Sequence, residues 1–194
     1  MTRVNRRQFI HASLAAAASV TISGTKSSGR VRGANDRIRI AVAGLNGRGH
    51  SHTDAYLKMK NVEIVYLVDP DKRTYQKHLS KCPNKPETVQ DIRKALEDKE
   101  LNAVSIATPN HWHALMTIWA CEHGKDVYVE KPCSHNVHEG RIAMEMAHKH
   151  KRVVQHGTQS RSSQQWANVV EILRAGTLGR LKIARALCYK GRTT

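Results

Sequence analysis

A chain of 194 residues, 40% of them hydrophobic, is long enough for one large domain, or for one domain and the beginning of another. The formal charge of +16 favours anionic ligands, but six basic residues fall in residues 1–34, where no acid occurs, and the others are spread over helix faces. One Phe, scattered tyrosines and no recognition motif exclude nucleic acid as an expected partner; Cys82, Cys121, Cys133 and Cys188 form no C-x-x-C pair and read as buried free thiols.

The chain opens with Arg6-Arg7-Gln8-Phe9-Ile10 ahead of an apolar, alanine-rich run over residues 12–22. Paired arginines before a modest hydrophobic stretch predict a twin-arginine export signal, with the export machinery as partner and the periplasm as destination. The run is too short for a confident membrane span. Lys26, Arg30 and Arg32 interrupt the small-x-small cleavage sites. Cleavage within 23–34, retention as an anchor, and a merely basic amphipathic start all stay open. Residues 1–34 are thus expected to be signal and linker.

Residues 38–43, Ile-Arg-Ile-Ala-Val-Ala, predict a strand, and Gly44-Leu45-Asn46-Gly47-Arg48-Gly49 follows at once. A helix over 50–60 and a strand over 62–68 come next, ending on Asp69. Strand, glycine-rich turn, helix, strand and acid match a dinucleotide-binding βαβ unit. Glycines let the backbone turn sharply and approach a pyrophosphate, whose charge sits on the first N–H groups and positive end of the helix. An acid after the second strand accepts hydrogen bonds from ribose hydroxyls, which favours NAD over NADP. Asn46 stands where the fingerprint has its second glycine; asparagine tolerates left-handed backbone angles, so the turn is expected to form. Taken alone, the motif is also compatible with a glycine turn that holds no ligand.

A helix over 71–81 is predicted next, stopped by Pro83, and Thr88 is the expected N-cap of a helix over 89–99. A buried-type strand over 102–107 ends in Thr108-Pro109-Asn110-His111-Trp112-His113. A helix runs to His123 and closes at Gly124. A strand over 126–129 ends in Glu130-Lys131-Pro132, and a helix over 137–150 leads to a strand over 152–155. Such alternation predicts an α/β, Rossmann-type parallel sheet covered by helices on both faces. The three clusters, at 44–49, 108–113 and 130–132, all stand at strand carboxyl ends and should converge on one crevice. His111-x-His113 has no Cys or carboxylate at ligand spacing, so no metal is expected. His148, His150 and the remaining histidines read as solvated helix positions, and Trp112, Trp119 and Trp166 as core or interface residues.

The motif at 107–113 together with Tyr128-Val129-Glu130-Lys131-Pro132, behind the dinucleotide fingerprint, closely resembles the Gfo/Idh/MocA family of NAD(P)-dependent oxidoreductases. The resemblance runs from about Asp36 to the end. It implies that Gly44, Asn46, Gly47 and Gly49 lie along the pyrophosphate, with Arg48 in the same cofactor-binding set, and Asp69 on the adenosine ribose. Thr108, Pro109, Asn110 and His113 would line the cofactor. Glu130 and Lys131 would sit at the nicotinamide, and Gln159 at a domain junction.

Lys131 is the expected catalytic residue. A lysine in a closed, partly desolvated site has a lowered pKa and polarises or deprotonates a substrate alcohol. Its alternative is a surface lysine before a proline. The resemblance implies hydride transfer on a sugar or polyol, or a glycoside hydrolase that oxidises and re-reduces bound sugar with retained NAD. It also implies a homo-oligomer for the full-length protein. Residues 35–157 would form the dinucleotide domain. Residues 158–194 would begin a second, truncated α/β domain, its first strand over 181–187. No D-x-x-x-H pair stands after Ser160, so an inactive dinucleotide-binding remnant is a further alternative.

Overall fold

The computed structural model describes residues 37–187. The expected export signal and Cys188 lie outside the described residues. The order is β1 (Ile38–Ala43), α1 (Arg48–Tyr56), β2 (Val62–Val68), α2 (Tyr75–Leu79), β3 (Glu87–Val89), α3 (Ile92–Leu96), β4 (Ala103–Ile106), α4 (His113–Glu122), β5 (Asp126–Glu130), α5 (Val137–Lys149), β6 (Val154–Gly157) and α6 (Gln164–Arg174), with 3-10 turns at Lys72–Thr74, Asn110–Trp112 and Gln159–Ser162.

Strand side chains alternate between the two faces of a sheet, so a strand buried at consecutive positions needs cover on both sides. β1 is such a strand. Ile40 and Val42 pack with Ile64, Leu67, Tyr75 and Cys82 on one face. Ala41 and Ala43 pack with Val68, Val104, Ile106, Ile92 and Leu96 on the other. Each fully buried leucine or valine there contributes about 1.5–3 kcal/mol. The strands form a six-stranded parallel sheet in the order β3-β2-β1-β4-β5-β6. The chain winds outward from β1 to β3, then crosses back to β4. The crevice beyond the carboxyl ends of β1 and β4 is therefore the switch point where such sheets take ligands.

Several expectations are corrected. Thr88 caps no helix: Glu87–Val89 pairs with Tyr66, Leu67 and Val68 as β3. The following helix is the short α3, capped by Asp91, whose carboxylate accepts from Arg93 N at 3.0 Å. Strand pairing at the sheet edge overrode the local capping signal. The helix expected over 71–81 is a 3-10 turn capped by Asp71 and then α2. No strand forms over 181–187. That segment is irregular and exposed, because a lone strand finds no ladder partner among the described residues. Cys82 and Cys121 are buried and burial pushes both thiols up, that of Cys121 to about 11, but Cys133 is exposed. His52 and His78 are buried rather than solvated.

Candidate active site

The glycine turn is shaped by two positive-φ glycines, Gly44 at 82° and Gly47 at 55°. Asn46 does not take the left-handed backbone expected of it. Its side-chain oxygen instead accepts from Gly47 N at 3.0 Å, and the second strained position moves one residue on, to Gly47. A Cβ on Gly44 would lie 2.6 Å from backbone atoms of Ala107 and Thr108, so this glycine lets β1 and β4 converge. A Cβ on Gly49 would lie 1.9 Å from Gly44 O, so the third glycine seats α1 against the turn. α1 starts at Arg48, which puts its positive dipole end at the turn.

Two side chains clamp Leu45 from beneath. Asp69, 8% exposed, accepts from Leu45 N at 2.8 Å through Oδ2 and from Asp71 N at 2.9 Å through Oδ1. His78 reaches Leu45 O through Nε2 at 2.9 Å and Thr53 Oγ1 through Nδ1 at 2.8 Å. Burial holds the His78 ring below its ordinary titration range. Each Asp69 oxygen keeps a further lone pair, which leaves the carboxylate able to accept from a diol. Of the two nearby cations that could soften repulsion of a 2′-phosphate, Lys72 and Arg73, the second is held by Asp71 through Nε and Nη2 at 2.9 and 2.8 Å.

Glu130 is the hub of the other half of the site. It is 4% exposed, at the end of β5. Its Oε1 accepts from Arg48 Nε at 3.1 Å, His52 Nε2 at 3.0 Å and Gln159 Nε2. Its Oε2 accepts from Lys131 N at 3.3 Å. Burial alone would push this carboxyl up; the hydrogen bonds from His52, Gln159 and Arg48, with the Arg48 charge, outweigh that and hold it at about 2. His113 ties two loops, its Nδ1 2.6 Å from Pro132 O and its Nε2 2.8 Å from Thr108 O. The Lys131–Pro132 peptide is cis. The Lys131 side chain itself is exposed, so the desolvation expected of it is not provided by the described residues.

Two adjoining hollows share Ala107 and Thr108. One, of about 690 Å³, is lined by Gly44, Asn46, Gly47, Asp69, Pro109 and, among others, Trp112 and Trp119. The other, of about 530 Å³, is lined by Arg48, Asn110, His113, Glu130, Lys131 and Gln159. The three predicted clusters do converge. Trp112 and Trp119, expected in core or interface roles, line the first hollow, with the Arg93 guanidinium 5.6 Å from the Trp119 ring centroid. His52 and His78 were missed in the sequence. Arg48 and His52 stand four apart on one helix face, which is the signal that could have paired them with a common acid.

A glycine turn at a helix start, an acid after the second strand and a lysine beyond the fifth, all on one parallel switch-point sheet, define a dinucleotide-binding unit of oxidoreductase type. The chain belongs to the Gfo/Idh/MocA family, an oxidoreductase family with an NAD-binding Rossmann fold, whose model matches residues 38–158. It is 28% identical over 158 residues to scyllo-inositol 2-dehydrogenase (NAD(+)) of Bacillus subtilis, covering 81% of this chain and 44% of that protein. It is 28% identical over 165 residues to a glycosyl hydrolase family 109 protein of Shewanella baltica, covering 72% and 36%. The chain thus spans less than half the length of these curated relatives. Among solved structures it resembles myo-inositol 2-dehydrogenase of Lactobacillus plantarum, at a TM-score of 0.69 and 22% identity over 75% of this chain and 43% of that one. It also resembles scyllo-inositol dehydrogenase of Lactobacillus casei with bound NAD(H) and scyllo-inositol, at 0.66 and 19% over 74% and 43%.

The residues fit a dinucleotide. The groove carries an acid at one end, a glycine turn and helix start in the middle, and polar groups with a lysine at the other, as ribose, pyrophosphate and nicotinamide require.

Proposed function

We propose that this chain is the nucleotide-binding part of an NAD-dependent oxidoreductase acting on a sugar or polyol. The observation that carries the reading is the groove that runs from Asp69 past Gly44 and Thr108 to Lys131. Residues 35–157 belong to the dinucleotide unit, and residues 158–194 to a second, substrate-binding domain. Gly44, Asn46, Gly47, Arg48 and Gly49 hold the pyrophosphate and Asp69 the ribose. Thr108, Pro109, Asn110 and His113 line the middle of the groove, and Glu130, Lys131 and Gln159 its far end. When bound, NAD supplies the hydride acceptor or donor. Lys131 polarises the substrate hydroxyl and takes or returns its proton. Its exposed side chain needs further cover from the whole protein before it loses water.

Cofactor choice tests this reading. Asp69 stands where a 2′-phosphate would meet like charge, and Arg73 is engaged by Asp71. NAD should bind at least several-fold more tightly than NADP, and Asp69→Ala should narrow the gap. A calorimetric titration in which NADP binds as well as NAD would refute the assignment.

The matches to glycosyl hydrolase family 109 proteins favour a second reading, hydrolysis of a glycoside with NAD retained. Net glycoside conversion without free NADH in solution distinguishes it. A homo-oligomer is the assembly proposed for the whole protein, and the exposed Trp166, Val169 and Ile172 of α6 support a contact there.

Export by the twin-arginine route completes the proposal, since that route carries folded, cofactor-loaded enzymes. Changing Arg6 and Arg7 both to lysine should trap a fusion reporter inside the cell. Unchanged export would refute the signal.

A further inference from the structure

An NAD-dependent oxidoreductase needs Lys131 at one fixed place relative to the pyrophosphate turn. Resting on that reading of the function, we propose that His52 is the positioning residue for Lys131: held by Ser105 of β4, it fixes the Glu130 carboxylate, and through that carboxylate the Lys131 turn.

Three donors meet Glu130 Oε1, and they are not equivalent. Arg48 is half exposed, so its pairing is screened by solvent. Gln159 comes from an exposed 3-10 turn beyond β6. His52 is 7% exposed, like the Glu130 side chain at 6%, and both ring nitrogens are engaged. Its Nδ1 lies 2.8 Å from Ser105 Oγ, which accepts from the Tyr56 hydroxyl at 3.2 Å. The ring of Tyr128 meets it edge-on, with centroids 5.3 Å apart.

The carboxylate end sets the direction of the relay. An ionised carboxylate only accepts, so His52 Nε2 carries hydrogen and donates to Glu130. Ser105 Oγ receives the Tyr56 hydroxyl, and its own hydrogen is left to turn to the Nδ1 lone pair of a neutral His52 ring. The order is Tyr56 to Ser105 to His52 to Glu130, and Glu130 Oε2 then takes the Lys131 N–H. The relay passes through β4 and ends at the tip of β5, two paired inner strands of the sheet. It aims one carboxylate oxygen at the α1 side of the groove and the other at Lys131.

Glutamine places its amide nitrogen where Nε2 stands, whereas asparagine reaches only to the Nδ1 position. His52→Gln therefore keeps the donor to Glu130, and His52→Asn keeps only the Ser105 contact. In the 194-residue chain, His52→Gln should leave the Glu130 carboxylate titrating near its wild-type midpoint by NMR and hold NAD within about threefold of wild type. His52→Asn should raise that midpoint, shift the Lys131 amide resonance and cost about tenfold in NAD affinity, while ADP-ribose binding changes less. If the asparagine variant fails to fold, the hydrogen position on the wild-type His52 ring gives the test instead. Ring-nitrogen spectra of the wild type should show hydrogen on His52 Nε2, and Ser105→Ala should leave it there, because the carboxylate still requires a donor. Equal behaviour of the glutamine and asparagine variants, or a wild-type His52 ring with hydrogen on Nδ1 alone, would overturn the role of His52. Failure of the wild-type chain to bind NAD would instead refute the oxidoreductase reading, and the carboxylate titration would still judge His52.

Discussion

Glu130→Ala should remove measurable NAD binding and lower stability by about 3–5 kcal/mol, the usual cost of deleting one partner of a buried ionic network. The loss has two parts. His52 loses its acceptor inside the protein, and Arg48, Lys131 and Gln159 lose the group that gathers them from three segments. Denaturant titration measures the first part and calorimetry with NAD the second. Acidity should reproduce the stability loss in the wild type. The carboxyl falls from an ordinary 4.5 to about 2 on folding. The unfolded chain therefore binds the proton more readily, so this stabilisation is fully present above pH 4.5 and fades as the pH falls towards 2. The shift corresponds to roughly 3 kcal/mol. Glu130→Ala should lack that component of acid sensitivity.

Gly44→Ala should be the most damaging change in the turn. Its φ of 82° is costly for any side chain, and the new Cβ would meet the Ala107–Thr108 backbone at 2.6 Å, where no flexible side chain is present to yield. Strain and overpacking together cost roughly 2–5 kcal/mol, and relief of the clash would push the two sides of the groove apart. NAD binding should be lost with it. Gly47→Ala is the internal control. Its φ of 55° is also unfavourable, but a Cβ there meets nothing within 4 Å, so only the strain of about 1–3 kcal/mol applies. Thermal melts of the two variants should therefore separate, with Gly44→Ala well below Gly47→Ala. Equal melting temperatures would show that the turn yields more easily than its contacts indicate.

The central strands were legible because β1 is apolar on both faces and is followed at once by glycine. The three clusters were legible as a site because parallel sheets put their ligands at strand carboxyl ends. What escaped was set by distant partners. Thr88 and Val89 carry a helix-start pattern, yet their place beside Leu67 and Val68 makes them strand. His52 looked like one polar residue on a short helix, and its partner Glu130 lies 78 residues further on. Asn46 was expected to bend through its backbone, but it acts through its side chain, since Gly47 beside it takes the positive φ at lower cost. Residues 181–187 had a strand's composition without a strand's neighbours.

If one groove, running from Asp69 over the glycine turn to Lys131, holds NAD, the cofactor must perturb all three clusters at once. Titrating NAD into the isotope-labelled chain and following its amide resonances tests this directly. The largest shifts should fall on residues 44–49, Asp69, Thr108, Asn110 and Glu130–Lys131, and Gly44→Ala should erase them. Shifts confined to other surfaces, or no saturable binding by a chain shown to be folded, would contradict that placement of the cofactor.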